Sequence, residues 1–297
     1  MTVRVRTVLG DVPAERLGVT DAHDHFFFRS HLLPGVELDD AGAALAEAQA
    51  FAAAGGRTVV QWTPRGLGRH RAELAALASA TGINIISATG RHRREHYAPA
   101  TEESFDELRD AFGADIADSS APCGVVKIGT GYHHLDEWER ISLQAAAMAH
   151  RETGVPIAIH LELGTAGEQV IEVLTDAGAA TDAIILGHVG RHPEERNLLR
   201  LADCGVFMCF DGPSRANHRT DWRTPDCIRR LVERGHGDQL LIGGDTTTAA
   251  ARSVTAGPGM PHLLTRFGAD LRLEIGDEAY DAITVANPRR AFALRDR

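Results

Sequence analysis

Lysine is almost missing. Of the 31 basic residues in the 297-residue chain, 30 are arginine and one, Lys127, is lysine. Arginine replaces lysine in most surface roles but not in amine chemistry, so a single retained amine is a candidate for a chemical task. Excess positive charge is missing too: 41 acidic side chains against 31 basic ones leave a formal charge of −10. Such a chain lacks the basic face that displaces phosphate counterions, which argues against nucleic acid and against a polybasic membrane surface as partners. No run of 18 apolar residues occurs, so no membrane helix is expected, and Met1 to Gly18 carries no apolar signal core. Cys123, Cys204, Cys209 and Cys227 form no CxxC pair, and four cysteines in a chain this long make no disulfide framework. A cytoplasmic protein with reduced thiols is the expectation.

What is present is alternation. Short apolar runs at Val19–His25, Thr58–Trp62, Ile83–Ala88, Gly124–Ile128, Pro156–His160, Ala183–His188, Val206–Phe210 and Leu240–Gly243 read as strands buried on both faces. Stretches rich in Ala, Leu, Glu and Arg separate them, among them 40–54, 71–80, 135–153, 167–177, 194–202 and 225–234, and read as helices. Eight strands alternating with helices predict an α/β fold, a (β/α)8 TIM barrel in one domain over residues 1–297, with Thr2–Gly18 as a short hairpin closing its N-terminal end. A doubly wound open sheet is the alternative, but the position after the first strand lacks its glycine fingerprint and reads Asp21-Ala-His-Asp-His25.

The chemistry gathers at the strand ends. His23 and His25 form an HxH pair at the end of the first strand, where i and i+2 share a face. Lys127 is near the end of the fourth strand, His160 ends the fifth and His188 the sixth, and Asp245 follows the eighth. Barrel enzymes build their sites at this rim. Imidazole and carboxylate suit Zn²⁺, with Mn²⁺, Co²⁺ or Fe²⁺ as other candidates. Four histidines and an aspartate exceed one open catalytic zinc and suit two ions about 3.5–4 Å apart, sharing a hydroxide. An unmodified lysine is a poor ligand, because its ammonium has no lone pair.

The ordered set HxH, Lys, His, His, Asp resembles the phosphotriesterase family of the amidohydrolase superfamily, and its lactonase branches in particular. The openings Arg6-Thr-Val-Leu-Gly-Asp and Leu17-Gly-Val-Thr-Asp-Ala-His-Asp-His, the fragments Ala158-Ile-His-Leu-Glu-Leu-Gly-Thr and Phe210-Asp-Gly-Pro, and the closing Asn287-Pro-Arg-Arg-Ala-Phe are similar to that family. The resemblance implies that CO₂ carboxylates Lys127 and that the carbamate bridges two metals. His23, His25 and Asp245 would then hold the more buried ion, and His160 and His188 the other. Asp245 would accept a proton from the bridging hydroxide, and the chain would form a homodimer.

The substrate is less sharply written. A lactone or related carboxylic ester is the expectation. An amide, carbamate or phosphotriester on the same site, or a non-catalytic metal- or ligand-binding barrel, are the alternatives. Tyr97 and Tyr132 are candidates to bond a substrate carbonyl. The sugar-lactone branch places a Lys after strand seven, and an Arg and a Tyr after the strand-eight Asp, to hold a phosphate. Here the stretches read Arg215-Ala-Asn-His218 and Thr246-Thr-Thr-Ala-Ala-Ala-Arg252, leaving Arg215 and Arg252 as the candidate cations.

Overall fold

The computed structural model describes residues 2–213 and 219–295. It opens with an antiparallel hairpin, β1 (Arg4–Thr7) and β2 (Gly10–Pro13). Eight parallel strands follow in sequential order: β3 (Thr20–Asp24), β4 (Thr58–Gln61), β5 (Asn84–Arg91), β6 (Cys123–Thr130), β7 (Ile157–Leu161), β8 (Ile184–Gly187), β9 (Phe207–Asp211) and β10 (Leu240–Gly243). The edge strands β3 and β10 meet and nearly close the barrel. At this seam the Asp245 N–H donates to the His23 carbonyl at 2.8 Å. The buried carboxylates of Asp21 and Asp24 accept from the N–H groups of Gly244 and Thr246 at 3.1 and 2.9 Å. Gly243 lets the strands approach, since a Cβ there would lie 2.6 Å from that of His23.

Helices α1 (Ala41–Ala53), α2 (Arg71–Thr81), α3 (Phe105–Ala117), α4 (Glu137–Thr153), α5 (Gly167–Asp176), α6 (Glu195–Asp203) and α7 (Thr224–Glu233) cover the outside. Five further helical elements lie over residues 259–291, after β10. Helix α3, outside the stretches named above, starts with the S-x-x-E capping signature: the Ser104 side chain accepts from the Glu107 N–H, and the Glu107 carboxylate returns to the Ser104 N–H. Helix α4 starts with the same device, Asp136 and Glu139, and stops at Gly154, whose φ of +77° few side chains tolerate. None of the described helices is long and apolar enough to cross a membrane.

Strand residues alternate between two apolar layers. Val126, Ile128, Ile157, Ile159, Leu186 and Met208 pack outward among the helices. Val60, Ile86, Val125, Ala158, Ile185, Cys209 and Leu241 fill the barrel interior. The hairpin seals the lower end as expected: Val5, Ala14 and Leu17 join Ala291 and Phe292 in the interior cluster. Two residues further along three of these inward rows stand Lys127, His160 and Asp211, so the same pleat that fills the core lifts ionisable groups into the upper mouth.

Candidate metal centre

The mouth brings all six expected donors into one buried region, with His23, His25, Lys127, His188 and Asp245 each at most 4% exposed. Register slips between Asp21 and Asp24, and this irregularity aims the HxH pair. The His23 ring stacks on the Trp62 indole, with ring centroids 3.8 Å apart, and the indole N–H is fixed on the Ala22 carbonyl at 2.7 Å. His188 and Asp245 have φ of +62° and +51°, left-handed geometry that costs energy for side chains of this size. Such strain gathers where a side chain must be aimed at a site.

Each imidazole has one nitrogen tied down, and the ties sort the others. The Thr63 hydroxyl gives its single proton to the Phe27 carbonyl at 2.5 Å, so at 2.7 Å it accepts from His25 Nδ1–H. Asp211 accepts from Nδ1–H of His23 at 2.8 Å and of His188 at 2.5 Å. Glu162 accepts from His160 Nε2–H at 3.0 Å and is held by Arg93 at 2.9 Å. The remaining lone pairs fall into two sets. His23 Nε2 and His25 Nε2 each lie 3.4 Å from Asp245 Oδ1. His160 Nδ1 and His188 Nε2 face each other at 2.7 Å. Without an ion that contact is an N–H···N hydrogen bond, and a shared cation would take the place of its proton; tied-back imidazoles are how proteins present nitrogen to metals. Within the first set, His23, His25 and Asp245 offer ligand atoms close enough together to hold one ion.

Burial sets the charges. It drives the Lys127 ammonium well below its ordinary pKa, with Asp245 opposing and Arg93 assisting. It pushes His25 down to about 4, and with the neighbouring His188 pushes His160 well down. Burial alone would raise Asp245 and Asp211, but His23 and His25 beside the former, and His188 and His23 beside the latter, hold both below the usual carboxylate range. The mouth therefore presents a neutral amine, neutral imidazoles at His25 and His160, and two carboxylates, a set that fits divalent cations.

The structure departs from the expected substrate contacts. The Tyr97 hydroxyl donates to the Arg65 carbonyl at 3.0 Å and accepts from the His92 N–H at 2.8 Å, so the backbone takes it up. Arg252 is 2% exposed, with its guanidinium on the carbonyls of Phe26 and Asp40. There it pins the chain after β10 to that after β3 instead of offering a cation to the mouth. Tyr132 stands 54% exposed beside His133. Arg215 lies outside the described residues. Two residues not expected at the site are present. Asp211 ends β9, and Arg191 reaches Asp245 at 3.2 Å. Asp211 had a signal, its inward parity with Cys209; Arg191 had none, because its direction follows from the left-handed turn at His188.

Known proteins share the sequence and the fold that carry this mouth. The model of the Phosphotriesterase family matches residues 3–292. A phospho-furanose lactonase of Mycoplasmopsis synoviae is 32% identical, over 98% of this chain and 92% of its own. The human N-acetyltaurine hydrolase is 31% identical, over 82% of this chain and 75% of its own. The crystal structure of a lactonase from Listeria monocytogenes superposes with a TM-score of 0.91 at 26% identity, covering 99% of this chain and 100% of that one. A barrel that turns neutral nitrogens and carboxylates into one mouth thus matches this group along nearly its whole length: the chain belongs to the phosphotriesterase family and is a metal-dependent hydrolase.

Proposed function

We propose that the protein opens a lactone or a related carboxylic ester at a two-metal centre, with Zn²⁺ the first candidate and Mn²⁺, Co²⁺ or Fe²⁺ the others. The observation that carries the reading is the sorting of free nitrogens into two sets. In this reading His23, His25 and Asp245 hold one ion, and His160 and His188 the other. Lys127, carboxylated by CO₂, would be a further ligand to them. Carbamate formation needs an uncharged amine, and burial supplies one. When bound, such ions polarise a carbonyl oxygen and generate a nucleophile from water at neutral pH. The chain's own part is to hold the donors and to exclude water from the base of the mouth. Asp245, kept ionised by His23, His25, His188 and Arg191, takes up a proton during attack. Tyr132 is the rim hydroxyl left to meet substrate. A homodimer in the cytoplasm, with its thiols reduced, completes the proposal.

The lactonase reading leans on the relative from Mycoplasmopsis synoviae and the structure from Listeria monocytogenes. A second reading, amide hydrolysis, is favoured by the human N-acetyltaurine hydrolase. The test is a substrate panel with protein loaded with Zn²⁺ or Mn²⁺ and bicarbonate, lactone opening being followed by acid release with a pH indicator and amide cleavage by the primary amine set free, with an amine-reactive dye. The panel pairs phosphorylated sugar lactones with uncharged γ- and δ-lactones and adds N-acyl amino sulfonates. Turnover of either lactone set supports the proposal. Turnover of amides alone moves the assignment to the second reading. Silence on all three with two metals bound overturns both.

A further inference from the structure

We infer that Asp211 is a shared positioning carboxylate that couples the two metal positions, because its two oxygens hold one imidazole from each. The inference rests on the two-metal reading above. Oδ2 accepts from His23 Nδ1–H at 2.8 Å and from the His188 backbone N–H at 3.0 Å. Oδ1 accepts from His188 Nδ1–H at 2.5 Å. The side chain has no exposed surface, so water cannot replace these bonds. His25 and His160 differ: each is tied to its own acceptor, Thr63 or Glu162, and neither acceptor reaches the other set.

A carboxylate acceptor forces the proton of each ring onto Nδ1 and so leaves Nε2 with its lone pair toward the mouth. An ion that fixes His23 through Nε2 fixes Asp211 behind it, and Asp211 then holds His188 ready for the second ion. Coupling of this kind is reciprocal. The two ions would therefore load with positive cooperativity, Asp211 adding its two-sided hold to the direct contact of the His23 and His188 rings, whose centroids lie 5.2 Å apart.

Asparagine at 211 separates the two halves. Its one oxygen is best placed at the Oδ2 position, where it keeps two bonds, to His23 and to the His188 N–H. Its NH₂ then faces His188 Nδ1 and can be satisfied only if that nitrogen accepts. The His188 proton moves to Nε2 and blocks the lone pair meant for metal. Asp211→Asn thus disables the His160/His188 position and spares the other, whereas Asp211→Ala frees both rings.

The experiment is Co²⁺ titration of metal-free wild type, Asp211→Asn and Asp211→Ala in bicarbonate, read by visible d–d absorption and by bound metal per chain. Circular dichroism melts of the metal-free proteins check folding. The wild type is expected to bind two Co²⁺ cooperatively. Asp211→Asn should keep one near wild-type affinity and bind the second about 10–100-fold more weakly, the scale seen for groups that orient metal ligands. Asp211→Ala should weaken both. Should the alanine variant melt below the working temperature, the isosteric asparagine variant decides alone. Two Co²⁺ bound by Asp211→Asn with wild-type affinity and spectrum would overturn the coupling. Fewer than two Co²⁺ bound by the wild type would instead overturn the two-metal reading.

Discussion

The two ends of the barrel are built from the same strands and do opposite work. At the lower end the inward rows carry Val125, Ala158 and Cys209 against Val5, Leu17 and Phe292, all buried and apolar. Two residues higher the same rows carry Lys127, His160 and Asp211. The lower end gains free energy from burial. The upper end gives some of it back, through a buried amine held below its ordinary pKa and two left-handed side chains. One fold therefore separates what keeps the chain folded from what it does, along a distance of one pleat.

The sharpest way to break that comparison is a reciprocal pair of substitutions. Phe292 is fully buried in the interior cluster. Phe292→Ala should cost about 3–5 kcal/mol of unfolding free energy. Turnover per folded molecule should stay near wild type, as read by urea denaturation and by kcat at low temperature. Lys127→Met should do the reverse. Turnover should fall by about 10²–10³, the scale of losing one preorganised polar group at a reacting centre. The unfolding midpoint of the metal-free protein should hold or rise, since an apolar side chain replaces a buried amine that has lost its charge. A Lys127→Met protein that unfolds while Phe292→Ala loses activity would erase the division between the ends.

Acid probes the same division with a smaller effect. Burial, then Lys127, Arg93 and His31, hold folded His96 down to about 3, and burial first of all holds His25 down to about 4. In the unfolded chain histidine titrates near 6.5, so between those values only the unfolded state takes the proton. Stability from these groups is complete above about pH 6.5 and is lost as the pH falls toward 4. Asp24 works the other way. Raised to about 6 chiefly by burial, it contributes below the ordinary carboxylate range, and that contribution is lost as the pH rises through 6. The histidines outnumber it, so metal-free protein should weaken from pH 6.5 to 4. His96→Gln, outside the proposed donor set, should flatten that slope in denaturant titrations. An unchanged slope would place the acid-sensitive groups elsewhere.

The same contrast explains what the sequence discloses. The barrel is legible because each strand is an apolar run of the right length. The six proposed donors are legible because each is a polar residue near the end of such a run or just after it. Their partners are less so. Asp211 sits before Gly212 and reads as a turn acid; only its parity with Cys209 sets it inside. Arg252 reads as a loop cation because its acceptors, the carbonyls of Phe26 and Asp40, lie more than 200 residues earlier and have no sequence signature. Helix α3 is legible only in its capping box, Ser104 with Glu107.

Tyr97 brings that lesson to its smallest measurable consequence. Its place after β5 and its hydroxyl make it a natural substrate contact on paper. In the fold the hydroxyl bridges the Arg65 carbonyl and the His92 N–H, and burial pushes its pKa up. It belongs with the scaffold although it stands at the functional end. Tyr97→Phe should therefore cost about 1 kcal/mol of stability, the net worth of such bonds, and leave KM within about twofold. Tyr132→Phe, at an exposed hydroxyl, should change KM and leave the unfolding midpoint alone. If Tyr97→Phe raises KM tenfold while stability holds, the hydroxyl turns from the backbone to the substrate during turnover, and the boundary between the two ends must be drawn one layer deeper.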